Sequence, residues 1–112
     1  MLDWKQYKTE LLARIGQFGK LSPGTLQGYQ ALTRAGESTR HLDAKTRELI
    51  SIAAAVTLRC DGCITVHVDA ALRLGASEGE ISEALGVAVA LNAGAALVYS
   101  ARAFDALRAH RS

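Results

Sequence analysis

Four side chains within twenty residues hold the reactive groups of this 112-residue chain. Cys60 and Cys63, its only cysteines, stand at C-x-x-C spacing, with His67 four residues after the second and Glu48 twelve before the first. A thiol pair cycles between dithiol and disulfide, an imidazole exchanges a proton near neutral pH, and a carboxylate orients that imidazole. Together they point to redox chemistry. On a helix, Cys63 and His67 lie one turn apart on the same face, near enough for a proton to pass directly or through one water. Glu48 and His67 cannot meet on one unbroken helix, because nineteen residues at about 1.5 Å each would hold them roughly 28 Å apart. The chain must turn between them, and Arg59, Asp61 and Gly62 mark the place.

The element that positions these groups is therefore an αα-hairpin whose first arm ends near Leu58 and whose second starts near Asp61. Counted from that turn, Glu48 lies roughly 15 Å and His67 roughly 9 Å away, an offset that one water bridges. Cys63 falls in the first turn of the second arm, where unsatisfied N–H groups and the helix dipole favour a thiolate. Asp61 opposes thiolate formation by its charge, and Arg59 offsets it.

Helical periodicity flanks the hairpin on both sides. Trp4, Tyr7, Leu11, Ile15 and Phe18 recur at three- and four-residue steps and predict an amphipathic helix ending near Gly19. Ser22 as N-cap and Pro23 at the first helical position open a second, short helix that runs through Leu26, Tyr29 and Leu32 to Gly36. Its Tyr29 is open to a pocket position, but the spacing favours the core. Asp43 caps the helix of Glu48, whose buried stripe is Leu49, Ile52, Ala53 and Val56. The cysteine helix ends at Gly75. Ser77 and Glu80 form a capping box for a helix carrying Ile81, Leu85, Ala88 and Val89, which Asn92 to Gly94 are expected to break. A last helix then carries Leu97, Val98, Ala101, Phe104 and Leu107, with Arg108 and Arg111 at the end that favours cations. The count is about six helices.

Composition agrees with an all-α fold in a single domain spanning residues 1–112. The chain is 49% hydrophobic but only 5% aromatic, with one proline, and alanine dominates its apolar set, which favours closely packed helices over sheets. A net charge of +2 with both signs interleaved leaves no basic stripe for nucleic acid. Asp3, Lys5 and Lys8 are followed by no apolar run of the kind a signal peptide needs, so the expected location is cytoplasmic. In that reducing compartment a C-x-x-C pair is catalytic or metal-binding rather than a structural staple. The uncharged run from Ala84 to Ala101 is weakly hydrophobic, contains Asn92, and is read as buried helix rather than membrane span. Its small residues lie on nearly every face, more than one small chain can bury, which predicts a symmetric homo-oligomer.

Other chemistries fit less well. Cys60, Cys63 and His67, with Glu48 or His41 as fourth ligand, resemble half a zinc site, but a second C-x-x-C or a histidine pair is missing. A c-type haem requires histidine directly after the second cysteine, where Ile64 stands. A thioredoxin motif requires βαβ surroundings, and the periodicity here is helical. The blandest reading makes the cysteines small buried hydrophobes beside a hydrogen-bonded core histidine. His41 and His110 belong to no constellation and are read as surface residues. No metal or cofactor is expected.

The pattern Glu48, eleven residues, Cys60-Asp61-Gly62-Cys63, three residues, His67 resembles the AhpD-like alkylhydroperoxidase branch of the carboxymuconolactone decarboxylase family. The flanking segments LDAKTRELISIAAAV and LGASEGEISEAL are also similar to that family's helices, so the likeness extends from about Leu42 to Phe104. It implies an all-helical subunit that assembles into trimers or hexamers and reduces a small hydroperoxide substrate, with an external dithiol reductant resetting the enzyme. By position, Cys63 would be the peroxidatic cysteine and Cys60 the resolving one, with Glu48 and His67 as a water-linked proton relay. The founding members carry a histidine directly before the second cysteine; Gly62 here removes a base near Cys60. The decarboxylases of the wider family lack the cysteine pair, which favours the peroxidase branch.

Overall fold

The computed structural model describes residues 1–112 and contains five helices and no strand. Helix α1 spans Trp4–Leu21, α2 Pro23–Thr39, α3 Ala44–Leu58, α4 Asp61–Arg73 and α5 Glu78–Arg111. The starts of α3 and α5 follow the expected capping chemistry, whereas Ser22 precedes Pro23 at the start of α2 without a side-chain cap, its hydroxyl meeting Thr25 Oγ1 at 2.7 Å. The Asp43 carboxylate accepts from the Thr46 backbone N–H at 2.7 Å, and Ser77 and Glu80 close a reciprocal capping box at the start of α5. Gly75, at φ 85°, takes the left-handed conformation that ends α4 and turns the chain toward α5.

The core sits where α3, α4 and the first turns of α5 meet. Ile52, Ala71 and Ala76 are its buried centre, with Leu49, Val68, Ile81 and Leu85 packed against them. Lys45 and Glu80 pair at 2.8 Å across the starts of α3 and α5. Helix α1 lies over α4 and is held at three points. The buried Thr65 hydroxyl donates to the Trp4 carbonyl at 3.4 Å, Lys8 pairs with Asp69, and Leu11 rests against Gly62. Helix α2 packs back on α1.

Two expectations need correction. The break at Asn92–Gly94 does not occur, and α5 is one continuous helix of 34 residues. Asn92 turns its amide inward instead, donating to the Ala88 carbonyl at 2.7 Å and to Thr57 Oγ1 at 2.9 Å, so it fastens α5 to α3. The run from Ala84 to Ala101 is also not buried within the chain: Leu91, Leu97, Val98 and Tyr99 are each at least 66% exposed, and Phe104 beyond it is equally open. The helix that carries it is long and apolar enough to cross a membrane by length and composition.

The shape reflects this. A compact 112-residue chain has a radius of gyration of about 13 Å, whereas this one measures 18.5 Å. A monomer of this mass exposes about 5,900 Å², whereas the chain exposes 8805 Å² and buries only six residues. The excess is about 2,900 Å² against that scaling.

Candidate active site

The turn of the αα-hairpin builds the site. Helix α3 ends at Leu58, and Arg59 takes a left-handed conformation at φ 55° as its C-cap. The Cys60 N–H then donates to the Ala55 carbonyl at 3.1 Å, which sets Cys60 at the N-cap of α4. Cys63 follows in the first turn, as its spacing predicts. Its backbone N–H donates to Cys60 Sγ at 3.2 Å, so the first sulfur takes the capping role that serine or aspartate usually fills. The two cysteines form a disulfide, with Cα atoms 5.2 Å apart. Both sulfurs thus sit at the positive end of α4.

His67 and Glu48 meet directly. His67 Nδ1 lies 2.6 Å from Glu48 Oε2, and the two side chains are 27% and 23% exposed. The bridging water expected between them is not needed, because α3 and α4 pack close enough for the side chains to span the offset counted along the helix axes. With Nδ1 engaged by the carboxylate, Nε2 is the ring nitrogen left to exchange a proton, one helical turn from Cys63. No ion pair joins Arg59 to Asp61, both of which are exposed, so the expected offset between their charges takes no contact form.

A pocket of about 190 Å³ opens beside the disulfide. Its floor is Cys60, Gly62, Cys63 and His67 on α4, and Leu11 and Ile15 of α1 supply an apolar wall. Tyr29 of α2 completes it. That residue was assigned to the core, but it is 57% exposed, because no further helix covers the outer side of α2. Sequence reasoning weighed a pocket position for Tyr29 and preferred the core, and it did not single out Leu11 or Ile15 as site components. Their helical stripe was visible, and nothing local in the sequence indicates that it faces a pocket. His41 and His110 are exposed and stand apart from the site.

The sequence and fold resemble those of known proteins. Residues 23–106 match the model of the carboxymuconolactone decarboxylase family. An uncharacterised protein of Haemophilus influenzae is 48% identical over 104 residues, covering 93% of this chain and 92% of its own. An uncharacterised protein of Cupriavidus necator is 32% identical over 110 residues, covering 96% of this chain and 97% of its own. Among solved structures, an apo carboxymuconolactone decarboxylase family protein from Legionella pneumophila superposes with a TM-score of 0.75 at 33% identity, over 94% of each chain. A protein from Methanobacterium thermoautotrophicum gives 0.71 at 33% identity, over 78% of this chain and 98% of its own. Sequence and fold agree over most of their length, and this chain belongs to the carboxymuconolactone decarboxylase family.

Proposed function

We propose that this chain is a thiol-dependent peroxidase of the AhpD-like branch, an oxidoreductase that reduces small hydroperoxides through Cys60 and Cys63. The observation that carries this reading is the Glu48–His67 contact at 2.6 Å, one helical turn from a cysteine pair at the start of α4. Glu48 holds Nδ1, so Nε2 accepts the Cys63 proton. The Cys63 thiolate attacks the terminal oxygen of the hydroperoxide. An S–O bond forms as the O–O bond breaks, leaving Cys63 as a sulfenic acid, and the departing alkoxide takes the proton from His67 to become an alcohol. The Cys60 thiol then attacks the Cys63 sulfur, closing the disulfide and releasing water. An external dithiol reopens it by two exchange steps and leaves as its own disulfide. This cycle belongs in the cytoplasm, where such reductants are maintained.

The test follows consumption of a small organic hydroperoxide together with thiol mass, for the reduced protein and for Cys60→Ser and Cys63→Ser. The expected result is rapid disulfide formation in the unmodified protein, sulfenic acid without disulfide in Cys60→Ser, and no first oxidation in Cys63→Ser. If neither thiol oxidises faster than free cysteine, the peroxidase reading is wrong. A redox sensor would form the disulfide without sustained turnover, and a lactone decarboxylase would keep its activity in both cysteine variants.

We also propose that the acting form is a homo-oligomer, a trimer or hexamer. A standard interface covers about 800 Å² per partner, and the exposed excess on this chain is more than three times that. The second half of α5 has apolar side chains and no partner element, while a groove of about 430 Å³ runs between α3 and α5, lined by Ile50, Leu58, Val87 and Leu91. A second copy's α5 suits that groove. Light scattering at micromolar concentration is expected to show an oligomer that Leu97→Asp dissociates; a monomer refutes the proposal, as does a chain that associates only with lipid vesicles.

A further inference from the structure

The floor of the dithiol pocket contains one residue without a side chain, and what fills the vacant space is specific. A Cβ built on Gly62 would stand 2.6 Å from Leu11 Cδ2, and its three nearest neighbours are all atoms of that leucine. Leu11 thus projects from α1 into the volume that any side chain at position 62 would take, directly between the two cysteines in sequence. It cannot withdraw by a shift of its helix without cost. One turn earlier, Lys8 pairs with the Asp69 carboxylate, which also takes Arg73 at 3.0 Å, and the start of α1 is tied to buried Thr65. With the backbone pinned, an added Cβ at position 62 has to be met by movement of the isobutyl tip.

We infer that Leu11 is the specificity-determining residue of the Cys60–Cys63 site: it roofs the sulfurs with hydrocarbon, sets the size of group that reaches them, and Gly62 is the residue that leaves it room. The inference rests on the reading of the dithiol as the reactive centre, and it assigns Leu11 a positional role rather than a chemical one. A polar or larger residue at position 62 would displace the leucine tip into the remaining space of about 190 Å³, so the two positions act as one unit. Positions that share one volume give non-additive effects, and a change in the ratio of bulky to small reagent rates is what separates a roof from a simple packing contact.

The experiment measures alkylation of the reduced protein by mass, using iodoacetamide as the small reagent and N-phenylmaleimide as the bulky one. This readout needs no peroxide, so failure of the roof and failure of the peroxidase reading are distinguishable. Removing hydrocarbon from an apolar pocket changes discrimination by about tenfold or more. Leu11→Ala is therefore expected to raise the ratio of bulky to small reagent rates by at least about tenfold, and Leu11→Met to keep the original ratio. Gly62→Ala is expected to slow both reagents, and the double variant Leu11→Ala/Gly62→Ala to recover the rates. If Leu11→Ala loses its helical circular dichroism, Leu11→Val reads the same ratio with a smaller change. An unchanged ratio in folded Leu11→Ala or Leu11→Val overturns the inference, and so does simple additivity of the Leu11→Ala and Gly62→Ala substitutions.

Discussion

Replacing Glu48 by glutamine tests the proton relay with little change of shape. The variant keeps a side chain of equal length against His67 but removes the charge that faces Nδ1 at 2.6 Å. A hydrogen bond to a charged group is worth about 1.5–3 kcal/mol, compared with about 1 kcal/mol for a neutral one. With a neutral bond in place of the charged one, the loss as His67 takes the Cys63 proton is the difference, about 0.5–2 kcal/mol, which at about 1.4 kcal/mol per decade corresponds to roughly 2- to 30-fold in rate. Because the side chains are 27% and 23% exposed, solvent screens part of the interaction, and the lower half of that range is expected. The assay is single-turnover oxidation of the pre-reduced protein by an organic hydroperoxide, followed by intrinsic fluorescence and by mass. His67→Ala should cost more, about 100- to 10,000-fold, and adding Glu48→Gln to it should change nothing further, since the carboxylate acts only through the ring. A Glu48→Gln rate equal to the unmodified protein, or an effect that persists in the His67→Ala background, would refute the relay.

Two further outcomes follow from contacts outside the site. Gly75 holds φ at 85°, a conformation that costs a side-chain-bearing residue about 1–2 kcal/mol, so Gly75→Ala should lower the melting temperature without altering thiol reactivity. The hydrogen bond from Lys8 holds the Asp69 carboxyl below its ordinary range, and the one from Lys45 does the same for Glu80. A carboxylate with a lowered folded value stabilises the fold fully above the unfolded range near about 4 and loses that contribution as pH falls through the folded value. Melting temperature should therefore drop on acidification below about pH 4, and less steeply in Asp69→Asn; an identical acid slope in that variant would show that the Asp69 pairs contribute nothing.

The hairpin was legible because its signals are local. Asp43 caps α3 by a hydrogen bond that closes within three positions, and the turn after Leu58 falls at the Arg59, Asp61 and Gly62 cluster. Asn92 and Gly94 were misread for the opposite reason. A glycine inside a helix costs only about 1 kcal/mol, and the Asn92 amide finds its partner on α3, a contact that no local pattern contains. Tyr29 was misplaced because a helical stripe shows that a face is apolar without showing whether anything covers it. The direct Glu48–His67 contact was hidden by counting along helix axes, which ignores how far the side chains reach across a packed pair.

The disulfide joins residues only three positions apart in the first turn of α4. A cross-link that closes so short a loop restrains the unfolded chain weakly, by about 2 kcal/mol in the loop-entropy picture. Opening it therefore releases no tie between distant parts of the chain. By the same linkage, the ease with which the pair is reduced is governed by its immediate surroundings, the helix start and the groups around the sulfurs, so single substitutions there can retune the couple while the fold stays where it is.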